Sequence, residues 1–158
     1  MSFIKAKEYI TKYGLAGNIM EFDESSATVE EAAHAIGCDG DEIGKTLSFI
    51  VDGDPILVLV SGNSRIDNKR FKNEFSIKPR MIKFDEVESL IGHAVGGVCP
   101  FGVNDNVKIY LDESLKKHDV IYPAVGSSNS AVKLTLSELE EITNYEKWVD
   151  VCKEKEDN

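Results

Sequence analysis

The hydrophobic pattern changes period several times along the chain. From Ser2, a 3.6-residue rhythm puts Phe3, Ala6, Ile10 and Tyr13 on one face. This predicts a capped helix to about Tyr13, with Gly14 at its C′ position. Positions 18–22 read as a short strand. Thr28-Val29-Glu30-Glu31 has capping-box spacing, in which hydroxyl and carboxylate each satisfy the other's backbone amide. The helix it opens carries Val29, Ala32, Ala33 and Ile36 inward and stops at Gly37, and its low bulk suits close packing on a sheet. Residues 44–51 then alternate. Leu47, Phe49 and Val51 share a face, and period two puts Lys45 at the head of the same row. After a turn at 52–55, residues 56–60 are apolar without a break, the pattern of a central strand covered on both faces. Together these two runs predict a hairpin.

Further along, Asp67 is placed to cap a helix through about Phe75 that exposes Lys69, Arg70 and Lys72. Residues 80–84 read as a strand and 85–91 as a helix ending at Gly92. Strands are predicted at 107–111 and 120–125, with 131–134 pairing back on the latter as a hairpin. Thr135 and Glu138 form a second capping box for a last helix, and Tyr145, Trp148, Val149 and Cys152 continue at helical spacing as a core stripe. Residues 153–158 read as a solvated tail. Hairpins interleaved with helices, without sustained βαβ repetition, predict one domain over residues 1–158. Its class is α/β (α+β), a mixed, mostly antiparallel, curved and barrel-like sheet with surrounding helices.

Composition narrows the function. With 158 residues, 42% apolar and 29% charged, the chain can hold a real core. No apolar run approaches the ~20 residues of a membrane span, and the first residues have no signal-peptide character, so a cytoplasmic protein is expected. Cys38, Cys99 and Cys152 are too widely spaced for a zinc site or a disulfide framework. A net charge of −10 argues against broad phosphate-backbone binding and against DNA. Any nucleic acid is expected to be touched at one end.

The densest chemical signal is Gly92-His93-Ala94-Val95-Gly96-Gly97-Val98-Cys99-Pro100-Phe101-Gly102, four glycines among apolar residues. It reads as a tight, partly buried loop whose free amides can face an oxygen. Other signals fail. Gly44-Lys45-Thr46 lacks the upstream glycine of a phosphate loop and opens a strand where that motif opens a helix. Gly126-Ser127-Ser128-Asn129-Ser130 lacks the second glycine of a nucleophile elbow. Cys99 reads as a small space-filling residue, and His34 and His118 as surface or packing residues.

Set out in order, Lys45, Gly62-Asn63-Ser64-Arg65-Ile66-Asp67, Gly96-Gly97-Val98-Cys99-Pro100-Phe101-Gly102 and Gly126-Ser127 resemble the YbaK/EbsC prolyl-tRNA-editing family. These are free-standing relatives of the editing domain inserted in bacterial prolyl-tRNA synthetases, and the resemblance spans roughly residues 21–142. It implies a compact mixed α/β fold and an aminoacyl-tRNA deacylase without a cofactor or metal. The substrate would be a tRNA 3′ end carrying a small amino acid, cysteine or alanine on tRNA(Pro), with prolyl-tRNA synthetase as a possible partner. Lys45, Gly96 and Gly97 match the catalytic positions. Lys45 would meet the terminal phosphate or polarise the carbonyl, and loop amides would hold the oxyanion. Val98, Pro100, Phe101, Gly102, Gly126, Ser127, His93 and Asn63 are the implied substrate-binding residues. The substrate's own 2′-hydroxyl would help to activate water. Asn63, Arg65 and Asp67 read equally as a structural turn and helix cap. The alternative function is a non-catalytic module that binds an aminoacyl-nucleotide or a synthetase; nucleotide hydrolysis ranks last.

Overall fold

A computed structural model of the protein describes residues 2–154. Helix α1 (Ser2–Thr11) buries Ala6 and Ile10, one helical turn apart. It ends two residues before Tyr13, which is exposed. Strand β1 (Ile19–Glu21) and helix α2 (Val29–Ile36) follow. The α2 capping box is formed: the Thr28 hydroxyl accepts from the Glu31 amide at 3.1 Å, and the Glu31 carboxylate from the Thr28 amide at 3.3 Å. Strands β2 (Ile43–Val51) and β3 (Asp54–Ser61) make the expected hairpin. Asp52 and Gly53 both have positive φ, which gives a two-residue turn twisted like the strands it joins.

Beyond them lie β4 (Ser64–Ile66), α3 (Asn68–Phe75), α4 (Val87–Ile91), β5 (Lys108–Asp112), β6 (Val120–Pro123), β7 (Ser130–Val132), β8 (Leu134–Thr135), α5 (Leu136–Thr143), β9 (Trp148–Val149) and β10 (Cys152–Glu154). Asp67 caps α3, accepting from the Lys69 and Arg70 amides, and Thr135 caps α5 with Glu138.

The main sheet runs β8-β6-β2-β3-β5-β9 and curls into a half-barrel. It is mixed, as expected; within it β2–β6, β3–β5 and β5–β9 are parallel, while the β2–β3 hairpin supplies the longest antiparallel ladder. Every residue of β3 after Asp54 is buried, because apolar clusters cover both of its faces. Leu59 joins the cluster under α1 and α5; Ile56, Val58 and Val60 join the one holding Phe49 and Phe71.

Three predicted elements differ. Residues 80–84 touch the sheet through a single bridge, Met81 to Phe49, because hydrogen bonds reach only Ser48 and Ile50 of the β2 edge. The expected 120–134 hairpin divides. Leu134–Thr135 pairs with β6, but Ser130–Val132 pairs with β1, and the Lys133 amide donates to the Asn18 carbonyl just before that strand. The 145–152 stripe is not helical. Asn144 ends α5 at φ +50, and Val149 and Val151 are buried with Asp150 exposed between them, a period of two. Of the predicted tail, Lys153 and Glu154 lie in β10, and 155–158 are outside the described residues.

Candidate active site

The site begins with a gap in the sheet. On its outer side β2 pairs with β6 only at Ile43 and Gly44, and the 80–82 segment reaches it at Ser48 and Ile50. Thr46 lies between the two attachments. Antiparallel pairing alternates, so the Thr46 amide and carbonyl face the same side as those of Gly44 and Ser48, away from β3. Its hydroxyl Oγ1 is buried with no hydrogen-bond partner. A cavity of about 340 Å³ opens over this gap. Its walls come from the start of α2 (Thr28, Val29, Ala32), from Thr46 and Ser48, from Ile82 and Val87, from Gly96 and Val98, and from Tyr122, Ser130 and Ala131. Among the described residues no Asp, Glu, His or Cys lines it; Lys45 is the one basic residue of the lining, and its ammonium turns away to the Ser64 carbonyl. Burial pushes the Tyr122 hydroxyl above the usual tyrosine range, so this wall is neutral at pH 7.

The glycine loop forms one rim. Gly96 has φ +97, a conformation glycine adopts at little cost. The Gly97 amide donates to the Ala94 carbonyl at 3.0 Å and closes a turn. The Gly96 and Val98 amides have no hydrogen-bond acceptor among the described residues. Gly97 lies against the backbone of Gly126 and Ser127: a Cβ there would come within 2.5 Å of the Gly126 carbonyl carbon and the Ser127 nitrogen. The loops 96–98 and 126–127 are thus in backbone contact, so these two sequence motifs, about 30 positions apart, do meet. Helix α1 supports both from behind, its Lys5 backbone against Gly102 and its Ser2 backbone against Gly126.

Lys45 reaches the other face of β2. Its ammonium donates to the Ser64 carbonyl of β4 at 2.7 Å, beside the row of Leu47, Phe49 and Val51 that packs on the second cluster. The other predicted residues divide as follows. Gly96 and Val98 line the cavity with Lys45. Pro100, Phe101 and His93 are buried behind the loop and do not reach it; Phe101 belongs to the core under α1. His93 Nε2 lies 2.6 Å from the Phe101 carbonyl, and burial holds its pKa below the ordinary 6.5, so it is a neutral internal brace. Gly102 and Gly126 are spacers against α1. Ser127 shares a 2.6 Å hydrogen bond with the hydroxyl of Ser130, which does line the cavity. Asn63 is exposed at the turn after β3, next to Gly40 and away from the cavity. Arg65 lies in β4 opposite Lys153.

Cys99 is fully buried and its thiol is pushed up to about 12, which removes it as a nucleophile. Iodoacetamide on the native protein should therefore leave Cys99 and Cys152 unlabelled, with slow modification of Cys38 only. Mass spectrometry of the peptides checks this; rapid alkylation of Cys99 would show the loop to be open.

Sequence reading missed Thr46, Ser48, Thr28, Ile82 and Ser130. The alternation of β2 carried one usable signal: Thr46 and Ser48 are polar on the face opposite the Leu47 row, in a strand whose partner is apolar from Ile56 to Val60.

A profile of the aminoacyl-tRNA editing domain matches residues 23–142. The chain belongs to this family. Among relatives of this editing domain is the uncharacterized protein YwhH of Bacillus subtilis, 43% identical over 99% of this chain and 100% of its own. The proline–tRNA ligase of Lactiplantibacillus plantarum is 26% identical over 78% of the chain, and the editing domain spans about a fifth (22%) of that ligase. A crystal structure solved as a proposed trans-editing enzyme for prolyl tRNA synthetase superposes with a TM-score of 0.86 at 29% identity, covering 96% of this chain and 97% of that one. The structure of hypothetical protein APE2540 gives 0.84 at 29% identity, with 94% and 99% covered.

Proposed function

We propose that this editing domain hydrolyses the ester of a mischarged aminoacyl-tRNA, with cysteinyl- and alanyl-tRNA(Pro) the first substrates to try. The observation that carries the reading is a cavity of about 340 Å³ with room for an aminoacyl group, its lining neutral apart from Lys45, with backbone amides and an unpartnered hydroxyl on its rim. An aminoacyl ester is already activated, so a positioned water and fixed donors suffice without a protein nucleophile. Water oxygen attacks the ester carbonyl carbon, and the Gly96 and Val98 amides receive the developing oxyanion. The bond from that carbon to the ribose oxygen then breaks. The ribose oxygen takes the proton that water gives up, passed by the neighbouring 2′-hydroxyl, and free amino acid and tRNA leave. The Thr46 carbonyl suits the substrate's α-ammonium, and its hydroxyl suits the attacking water.

For Lys45, the hydrogen bond to Ser64 on the far side of β2 supports the phosphate role over polarisation of the carbonyl. The cation would meet the terminal nucleotide's phosphate by exchanging that carbonyl for it. The test is a panel of mischarged tRNAs incubated with purified protein and with Lys45→Ala. Loss of phosphate pairing should raise KM more than it lowers kcat, reducing kcat/KM by ~10²-fold while the melting temperature stays within a few degrees. Unchanged turnover would eliminate the role. Saturable binding of an aminoacyl-adenosine analogue with no hydrolysis at any protein concentration would replace the deacylase by a binding module.

A further inference from the structure

A second cavity, of about 250 Å³, lies at the far end of β2, on the sheet face that carries α3. Three parts of the fold meet there. The β2–β3 turn supplies Asp52 and Asp54, β5 supplies Lys108 and Tyr110, and the last turn of α3 closes over them with Glu74 and Phe75. Strand register puts the sheet residues on one face. Ile56 stands beside Lys108 and Val58 beside Tyr110 in the parallel β3–β5 ladder, and Asp54 shares the face of Ile56. The floor is apolar: Ile56 is buried, and the half-buried rings of Phe75 and Tyr110 meet edge to face at 5.0 Å. Val51, on the cavity wall, is about 17 Å along β2 from Thr46 of the candidate active site.

The charges around this floor are sorted by strand. Asp52 and Asp54 stand on the hairpin side, Lys108 on the neighbouring strand, and Lys147 beyond it, just before β9. Glu74 and Lys147 pair at 2.6 Å, and that bond holds the Lys147 pKa above the ordinary lysine value. Asp52, Asp54 and Lys108 form no ion pair among the described residues. Burial, with Glu146 nearby, raises the Tyr110 pKa, so its hydroxyl is a neutral donor at pH 7. With strands about 5 Å apart and alternate residues about 7 Å apart, the Cα atoms of Asp54 and Lys108 are separated by about 8 Å. One small molecule carrying both an ammonium and a carboxylate bridges that separation. Simpler ligands fit less well. A lone anion would face three carboxylates and the negative end of α3, and a lone cation would face two lysines. Among the described residues no three acids or histidines come together to hold a metal ion.

We propose that this cavity binds a free α-amino acid. Its ammonium meets Asp54 and the carbonyls that end α3, its carboxylate meets Lys108 and the Tyr110 hydroxyl, and its side chain covers the Phe75 ring. Glu74 and Lys147 remain paired and brace the wall. The site is separate from the cavity over Thr46, and the proposal does not depend on the deacylase reading.

Isothermal titration calorimetry of the purified protein with L-alanine, L-proline and L-leucine tests this. At least one should bind with a Kd of about 0.1–1 mM. The N-acetyl and the carboxamide derivatives of that amino acid, which remove one charge each, should bind about tenfold more weakly. Asp54→Asn and Lys108→Ala should each weaken the free amino acid about tenfold, whereas Lys108→Arg should bind it as wild type does. Asp54 and Lys108 are exposed, so the melting temperature without ligand should not move in these variants. A protein that binds none of the three amino acids overturns the proposal. Affinity unchanged in both Asp54→Asn and Lys108→Ala does the same, since it places the ligand elsewhere, the candidate active site included. A carboxamide that binds as tightly as the free acid would leave only an ammonium site, and an equally tight N-acetyl derivative only an anion site; either overturns the zwitterion. Binding that both variants weaken supports the site even in a protein that cleaves no ester.

Discussion

Gly97→Ala should cost the protein about 3 kcal/mol, lower its melting temperature by about 10 °C, and abolish deacylation. Gly97 is not in the left-handed region, so alanine is permitted by its own dihedrals. The obstacle is outside: the new methyl would meet the Gly126 carbonyl carbon and the Ser127 nitrogen at 2.5 Å. Those are backbone atoms, and Gly126 is itself seated on Ser2, so no side-chain rotation gives relief. The two loops must separate, and the Gly96 and Val98 amides move with them. Gly96→Ala is the informative control. There a methyl has room, its nearest neighbour being the Ser128 Cβ at 3.6 Å, but φ is +97. Its cost should be conformational, about 1–2 kcal/mol. Thermal melting of both variants, with hydrolysis of a mischarged tRNA, checks this; equal stability of Gly97→Ala and wild type would refute the loop contact.

Thr46→Val should move stability and activity in opposite directions. The Thr46 hydroxyl is buried without a partner, so it loses its water and gains nothing in return. Valine has the same shape and suits a strand equally well. Removing the hydroxyl should raise stability by about 1 kcal/mol, or about 3 °C in melting temperature. If that oxygen orients water or substrate, kcat and kcat/KM should fall together by ~10- to 100-fold. Thr46→Ser should retain most of the rate. A more stable protein with full activity would assign the hydroxyl no function, and a less stable one would mean that it has a structural partner after all.

Legibility in the sequence followed the range of the interaction. Both capping boxes, the Asp67 cap and the β2–β3 hairpin were visible because each depends on residues a few positions apart. The core role of 56–60 was visible because an uninterrupted apolar run has few other uses. The stripe 145–152 misled because Val149 and Cys152 satisfy a helical spacing while Val149 and Val151 satisfy an extended one. Left-handed Asn144 and the neighbouring edges of β5 and β4 decide between them. Within the glycine loop, the small residues announced a close approach but not which side faces the cavity. Phe101 and His93 proved to be the packed side and Gly96 and Val98 the open one. Thr46 could not be singled out, because its interest comes from strand pairing that stops on either side of it, and that is set by residues 80 and 120 positions along the chain. For Lys45, the sequence supplied the face of the strand, but its Ser64 partner depends on how β4 folds back.

Neither Ser2 nor Lys5 lines the cavity, yet their peptide groups bear on Gly126 and Gly102, one behind each loop. Helix α1 thus works as a keystone, holding two arches against each other at the spacing the chemistry needs. The conserved-domain profile starts at residue 23, beyond that keystone. Any relative that carries the same arches inside a longer polypeptide without this helix has to brace them with some other part of its fold.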